Sequence, residues 1–282
     1  MTHRLSSGTD PRGFPALAEV KGKSVVTRTA SAREGGYASA LARLTSAQKP
    51  AARSAPAYSR FINRRLGRYL AAAAYSLGLT PNAVTGISAL FTFASIALLI
   101  AFPPSIGLGI AVASGLLIGY AFDSADGQLA RLTGSSSPAG EWLDHFVDSI
   151  KASALPLALL VGFYRFESVP VPWLVVPLMG AVVSAVLFFA MILTEQLRRA
   201  HSSLPLAAAG SSSSGMPGAG GWVRSVLVAP MDYGVLCLSF VLLGLLPVFL
   251  VVYTIIIAAT TLFLALAAVK WFRELSRTER VS

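Results

Sequence analysis

One cysteine, three histidines and 13 acidic residues are all that this 282-residue chain holds of the side chains that most often do chemistry. A lone Cys237 excludes an intrachain disulfide and suggests no thiolate metal cluster; inside an apolar run it reads as a small packing residue. Charge is scarce too. Only 13% of residues are Asp, Glu, Lys or Arg, against ~25% in an ordinary soluble domain, while 54% are hydrophobic. Several apolar runs reach the ~20 residues that a spanning helix needs, and so many cannot all be interior helices of one soluble domain. The composition predicts an all-α, polytopic membrane protein. Residues 1–30 also lack the apolar core that a cleavable signal peptide requires.

Six spans are expected. The first covers residues 82–102 and is ended by Pro103 and Pro104. The second runs from residue 106 into the stretch "FDSADGQLARLTGSSSPAGEWLDHFVDS". A third starts at Pro138, which suits a first helical turn with Ser137 as its cap, and continues to residue 163. The fourth covers residues 171–194, the fifth 226–246, and the sixth follows a break at Pro247 and ends near residue 269. The connections at residues 102–105 and at Pro247 carry no Lys or Arg, and Arg165 is offset by Glu167. The opposite ends hold Arg131, Arg198, Arg199, Arg224, Lys270, Arg273, Arg277 and Arg280. Basic residues mark the cytoplasmic side, so both termini and the aspartate stretch are expected on the cytoplasmic face of the plasma membrane.

The first 79 residues contain 13 Lys or Arg and three Asp or Glu, and so account for the whole net charge of +10. Residues 1–56 show no sustained period and are expected to form a mostly disordered basic tail. Residues 57–79 are expected to form a helix lying in the membrane surface. Arg60, Arg64, Arg65 and Arg68 cluster on one side of it, and Ile62, Leu66, Tyr69, Leu70 and Ala73 on the other. Residues 80–272 then form the six-helix domain, and 273–282 a short tail. No nucleic-acid recognition module is visible, and the positive-inside bias explains the basic residues without one.

Four aspartates interrupt this apolar chain where it meets the cytoplasmic face. Asp123 and Asp126 are three apart, Asp144 and Asp148 four apart, and either spacing puts both side chains on one face of a helix. The two pairs would face each other across the turn at residues 132–137. An ionised carboxylate beside hydrocarbon is costly unless a cation compensates it. Oxygen-only ligand sets suit Mg²⁺ or Mn²⁺, and two such ions bridged by carboxylates can clamp a pyrophosphate. Gly127, Ala130 and Gly140 leave room for a ligand against the helix backbones, and Arg131 can pair with a phosphate oxygen.

The run Asp123-x-x-Asp126-Gly127-x-x-Ala130-Arg131, then eight residues, then Gly140-x-x-x-Asp144-x-x-x-Asp148 resembles the complete signature of the CDP-alcohol phosphotransferases (CDP-alcohol phosphatidyltransferases). The resemblance implies a six-helix membrane enzyme of phospholipid synthesis, dependent on two Mg²⁺ or Mn²⁺ ions, and a homodimer. It implies transfer of a substituted phosphate group from a CDP-linked donor, often CDP-diacylglycerol, to an acceptor hydroxyl with release of CMP. Asp123, Asp126 and Asp144 would be metal ligands, and Asp148 the general base that stays near a metal. Gly127 and Ala130 match positions lining the cytidine site. The stretch "LTPNAVT" also resembles the family and would place Asn82 and Thr85 near the nucleotide. Pro81 with Asn82 serves equally as a helix start.

The remaining polar residues carry less. His145 points off the face shared by Asp144 and Asp148, Trp142 suits an interfacial anchor, and Asp232 is expected to pair with Arg224, the alternative being a place in the acceptor site. Arg198 and Arg199 stand where members that use inositol phosphate carry a basic motif, but "EQLRRAH" departs from it, whereas "GEWLDHFVDS" resembles aminoalcohol phosphotransferases. The donor and acceptor therefore stay open. A cation transporter would need further acidic residues deep in the later spans, and none is present. An inactive scaffold would be expected to have lost an aspartate, and all four remain.

Overall fold

A computed structural model describes residues 36–46, 58–202 and 232–278 of the chain. The described residues are helical, with no strand among them. In chain order they form α1 (Tyr37–Ser46), α2 (Arg64–Ser76), α3 (Pro81–Ala101), α4 (Ile106–Thr133), α5 (Pro138–Arg165), α6 (Val175–Ser202), α7 (Tyr233–Ser239) and α8 (Leu246–Thr278). A wide turn, Ser59–Asn63, leads into α2; tight turns precede α6 (Val171–Leu174) and follow α7 (Phe240–Gly244).

Helix boundaries follow the local chemistry. Thr80, Ser105 and Ser137 cap α3, α4 and α5, each side-chain oxygen accepting the amide of the third residue on, at 3.1–3.2 Å. Pro81 and Pro138 occupy the first helical turns, where no amide is needed. Gly134 ends α4 in the left-handed region at φ 65°, which a glycine reaches without strain.

Five helices are long and apolar enough to cross a membrane: α3, α4, α5, α8, and α6 with its leading turn. Large apolar side chains stay exposed along them, among them Val182, Val186 and Phe189 of α6 and Val251, Ile255 and Leu262 of α8. Such a belt suits lipid rather than water. The expected fifth span begins outside the described residues. Its described part, α7 and the turn after it, reaches roughly 20 Å at ordinary helical rises, short of the ~30 Å hydrocarbon layer.

Two segments differ from expectation. Within residues 1–56, Tyr37–Ser46 is helical rather than disordered, because Ala40 and Leu44, four apart, bury against α2. Arg43 adds a 3.2 Å hydrogen bond from its guanidinium to the Leu132 carbonyl at the end of α4. The rest of that tail lies outside the described residues. Helix α2, in turn, has three faces instead of two. Gly67, Ala71 and Ala74 are buried along α4, while Ile62, Leu66 and Tyr69 remain exposed beside the arginines. Asn63 Nδ2 donates to the Tyr120 carbonyl at 3.1 Å, and Gln128 Nε2 to the Arg64 carbonyl at 3.2 Å, which fixes this seam.

Helices α4 and α5 both pack along α3, and this arrangement sets the site between them. The approach of α3 to α4 is very close. A Cβ at Gly115 or Gly119 would collide with Ser95 Oγ or Thr92 Oγ1. Farther from the site, Phe163, Phe240, Phe249 and Tyr253 form a ring cluster that ties α5, the turn after α7, and α8 into one core.

Candidate active site

Three of the four aspartates converge. Asp123 in the C-terminal half of α4, and Asp144 and Asp148 on the first three turns of α5, each offer a carboxylate oxygen within 4.8 Å of the others. Asp144 Oδ1 is buried and has no hydrogen-bond partner. A carboxylate oxygen left bare inside a protein needs a cation or a donor to offset its burial. An all-oxygen group of this size fits Mg²⁺ or Mn²⁺.

Asp126 is placed differently. Its Oδ2 accepts a 2.6 Å hydrogen bond from Thr85 Oγ1 on α3, and its Oδ1 accepts the Gly127 amide. These bonds direct it to a cavity of about 420 Å³ that opens beside Asp144. Every nucleotide candidate from the sequence lines that cavity: Asn82, Thr85, Gly127, Ala130, Arg131 and Gly140. Ser136, Ser137 and Pro138, at the start of α5, complete the wall. The positive end of the α5 helix dipole favours an anion there. The guanidinium of Arg131 makes no ion pair among the described residues.

A second cavity of about 250 Å³ lies against the other carboxylates. Asp123, Asp148 and Lys151 form part of its wall; the rest is mainly apolar or aromatic, including Leu155, Phe188, Leu236, Tyr253 and Ile257. Pro156, also in that wall, has no N–H, so the Ala152 carbonyl one turn back loses its helical donor. Tyr233 lines the same cavity, and its hydroxyl is buried. The carboxylates thus stand between a polar chamber and an apolar one.

Sequence reasoning passed over Lys151, Tyr120 and Tyr233. Lys151 was the findable one, as a lysine inside an apolar run three residues after Asp148. Its Nζ donates to Asp123 Oδ1 at 2.7 Å, Asp148 Oδ1 at 3.0 Å and Ser88 Oγ at 3.1 Å. The other polar candidates have ordinary partners. Arg199 pairs with Glu141 at 2.6 Å and Glu195 at 3.1 Å, and Arg198 with Glu274 at 2.9 Å. His145 lies 3.8 Å from Glu141, and Trp142 is exposed and stacks on Phe146. Asp232, 1% exposed, accepts the Gly234 amide at 3.0 Å as a helix cap and the Ser59 amide at 3.1 Å. Arg224, its expected partner, lies outside the described residues.

A membrane-embedded helical bundle whose acidic cluster adjoins a chamber suited to an anion defines a class: intramembrane enzymes of phosphate-linked substrates. Residues 78–216 match the model of the CDP-alcohol phosphatidyltransferase family. Cholinephosphotransferase 1 of Xenopus laevis is 38% identical over 80 residues, which are 26% of this chain. The match spans only 20% of that relative's length. The solved structure of Mycobacterium tuberculosis phosphatidylinositol phosphate synthase with CDP-DAG bound is also similar. It is 24% identical, with a TM-score of 0.44, over 72% of this chain and 90% of that one.

Proposed function

We propose that this chain is a phospholipid-synthesis enzyme that transfers a substituted phosphate group from a CDP-linked donor to an acceptor hydroxyl and releases CMP. The observation that carries the reading is the trio Asp123, Asp144 and Asp148, within 4.8 Å of one another and set between a polar and an apolar chamber. Asn82, Thr85, Gly127, Ala130 and Gly140 bound the nucleotide. Arg131 and the positive end of the α5 dipole meet its phosphate oxygens. Asp148 takes the proton of the acceptor hydroxyl, whose oxygen attacks the phosphorus distal to cytidine. A new O–P bond forms as the bond to the bridging oxygen breaks, and its electron pair leaves with CMP. Asp123, Asp126, Asp144 and Asp148 would hold two Mg²⁺ or Mn²⁺ ions, which would supply Lewis acidity against the phosphate charge.

Two assignments of the lipid fit this chemistry. With CDP-diacylglycerol as donor, the apolar chamber takes the acyl-bearing part and the acceptor is a small alcohol. With a CDP-aminoalcohol as donor, the acceptor is itself a lipid alcohol. Two observations favour the second assignment. Arg198 and Arg199 are paired with Glu274, Glu141 and Glu195 rather than free to meet a phosphorylated acceptor. The apolar chamber also touches Asp148, the proposed base. The similarity to a cholinephosphotransferase runs the same way.

The skew of basic residues supports an orientation in the plasma membrane with the site and both termini cytoplasmic. Six spans, a basal surface helix and a homodimer complete the proposed organisation. The test offers purified protein a panel of CDP-diacylglycerol, CDP-choline and CDP-ethanolamine with small alcohols and diacylglycerol, and weighs the lipid products. One donor–acceptor pair yielding CMP and a lipid of the matching mass supports the reading. No CMP from any pair, with cation flux in liposomes instead, overturns it.

A further inference from the structure

Lys151 stands one turn beyond Asp148 on α5 and is 7% exposed. Lys151 lies midway along α5, where a lysine in a span is rare and ordinarily stretches toward the interface. This one turns inward and matches all three of its N–H donors, to Asp123 on α4, Asp148 on α5 and Ser88 on α3. An ammonium sunk this far into a span is costly unless paired and fully hydrogen-bonded, and here it is both. The carboxylate cluster therefore has two unlike halves. Toward the apolar chamber, Asp123 Oδ1 and Asp148 Oδ1 already share a cation, at 2.7 and 3.0 Å. Toward the polar chamber, Asp144 Oδ1 is buried with nothing bonded to it.

We propose that the Lys151 ammonium holds, between Asp123 and Asp148, the place of a divalent ion, so that the cluster binds one ion readily on its Asp144 side and a second only by displacing Lys151. The proposal rests on the site's reading as a metal centre, and adds that its two ion positions are unequal because a side chain of this chain competes for one of them. An ammonium and a hard divalent cation seek the same oxygen lone pairs, and two cations do not share one oxygen pair at hydrogen-bonding distance. In the absence of the second ion, Lys151 also holds α3, α4 and α5 together at the cluster.

The experiment titrates detergent-purified protein with Mn²⁺ and counts bound ions from the loss of the free-ion EPR signal. Wild type is expected to bind one Mn²⁺ tightly and a second at least about tenfold more weakly. K151M should tighten the second ion by about tenfold or more and the first by less than about threefold, whereas K151R, which keeps a cation, should preserve the wild-type spread. Simple charge repulsion would instead move both ions together. Should K151M fail to fold, S88A carries the test: it removes one of the three bonds to Nζ without touching a carboxylate, and should tighten only the second ion, by about threefold. Two equal ions in wild type, equal tightening of both in K151M, or no change in K151M or S88A overturns the proposal. Wild-type protein that binds no Mn²⁺ at all overturns the metal-centre reading itself, a result distinct from these.

Discussion

The Thr85 hydroxyl donates a 2.6 Å hydrogen bond to Asp126 Oδ2, across the seam between α3 and α4. Asp126 is buried there, and its carboxyl belongs to the polar chamber rather than to the trio around Lys151. A hydrogen bond to a charged group contributes about 1.5–3 kcal/mol, so losing it costs roughly 10- to 100-fold where it acts on binding. T85A is expected to lower kcat/KM for the CDP donor within that range, and T85S to recover most of the loss. Steady-state CMP release with the two variants checks it.

Asp148→Asn tests the base. The amide cannot take a proton, so turnover should fall by about 10²- to 10⁴-fold. The polar chamber, lined from α3, α4 and the start of α5, does not include Asp148, so donor binding should weaken far less than turnover. Equilibrium binding of a labelled CDP donor beside single-turnover CMP release separates the two effects. Loss of donor binding in step with turnover would make Asp148 a donor-binding group instead.

Gly119→Val tests the packing that sets the site. Its Cβ would meet Thr92 Oγ1 and lie 3.1 Å from the Ser88 carbonyl, and α3 cannot back away without moving Thr85 and Ser88. Overpacking of this kind costs typically about 1–3 kcal/mol. A lowered Tm in detergent, with activity lost alongside, is expected. Gly107, whose Cβ would meet nothing within 4 Å, is the control, and G107A should keep the wild-type Tm.

Arg198→Ala tests the acceptor. Arg198 is exposed and paired with Glu274, and it lines neither chamber. An exposed ion pair contributes about 0–1 kcal/mol, so the variant should be nearly as stable as wild type. Its KM for the acceptor should be unchanged. A large rise in that KM would return a phosphorylated acceptor to consideration.

The parts that were legible in the sequence are local. Thr80, Ser105 and Ser137 followed by Pro or apolar residues mark the helix starts, and α3, α4 and α5 begin within a residue of expectation. The aspartate spacings of three and four follow helical periodicity, and the chamber around Asp126 holds Gly127, Ala130, Arg131, Gly140 and Asp144 of the motif, while Asp123 and Asp148 line the second cavity. What was hidden depends on contacts distant in sequence. Lys151 meets Asp123, 28 residues away, and Ser88, 63 away, so periodicity alone reads it as a stray charge. Asp126 looks equivalent to Asp123 until Thr85, 41 residues earlier, claims it. In α2, a two-faced helical wheel overlooks Gly67, Ala71 and Ala74, since small side chains give little hydropathy signal yet allow the closest approach.

The most direct measurement is anomalous diffraction at the manganese edge from crystals grown with Mn²⁺. The account predicts a peak within about 2.5 Å of Asp144 Oδ1 and of an oxygen of Asp123, on the side of the chamber lined by Arg131. A structure with Mn²⁺ in excess and no peak among Asp123, Asp126, Asp144 and Asp148 would contradict it.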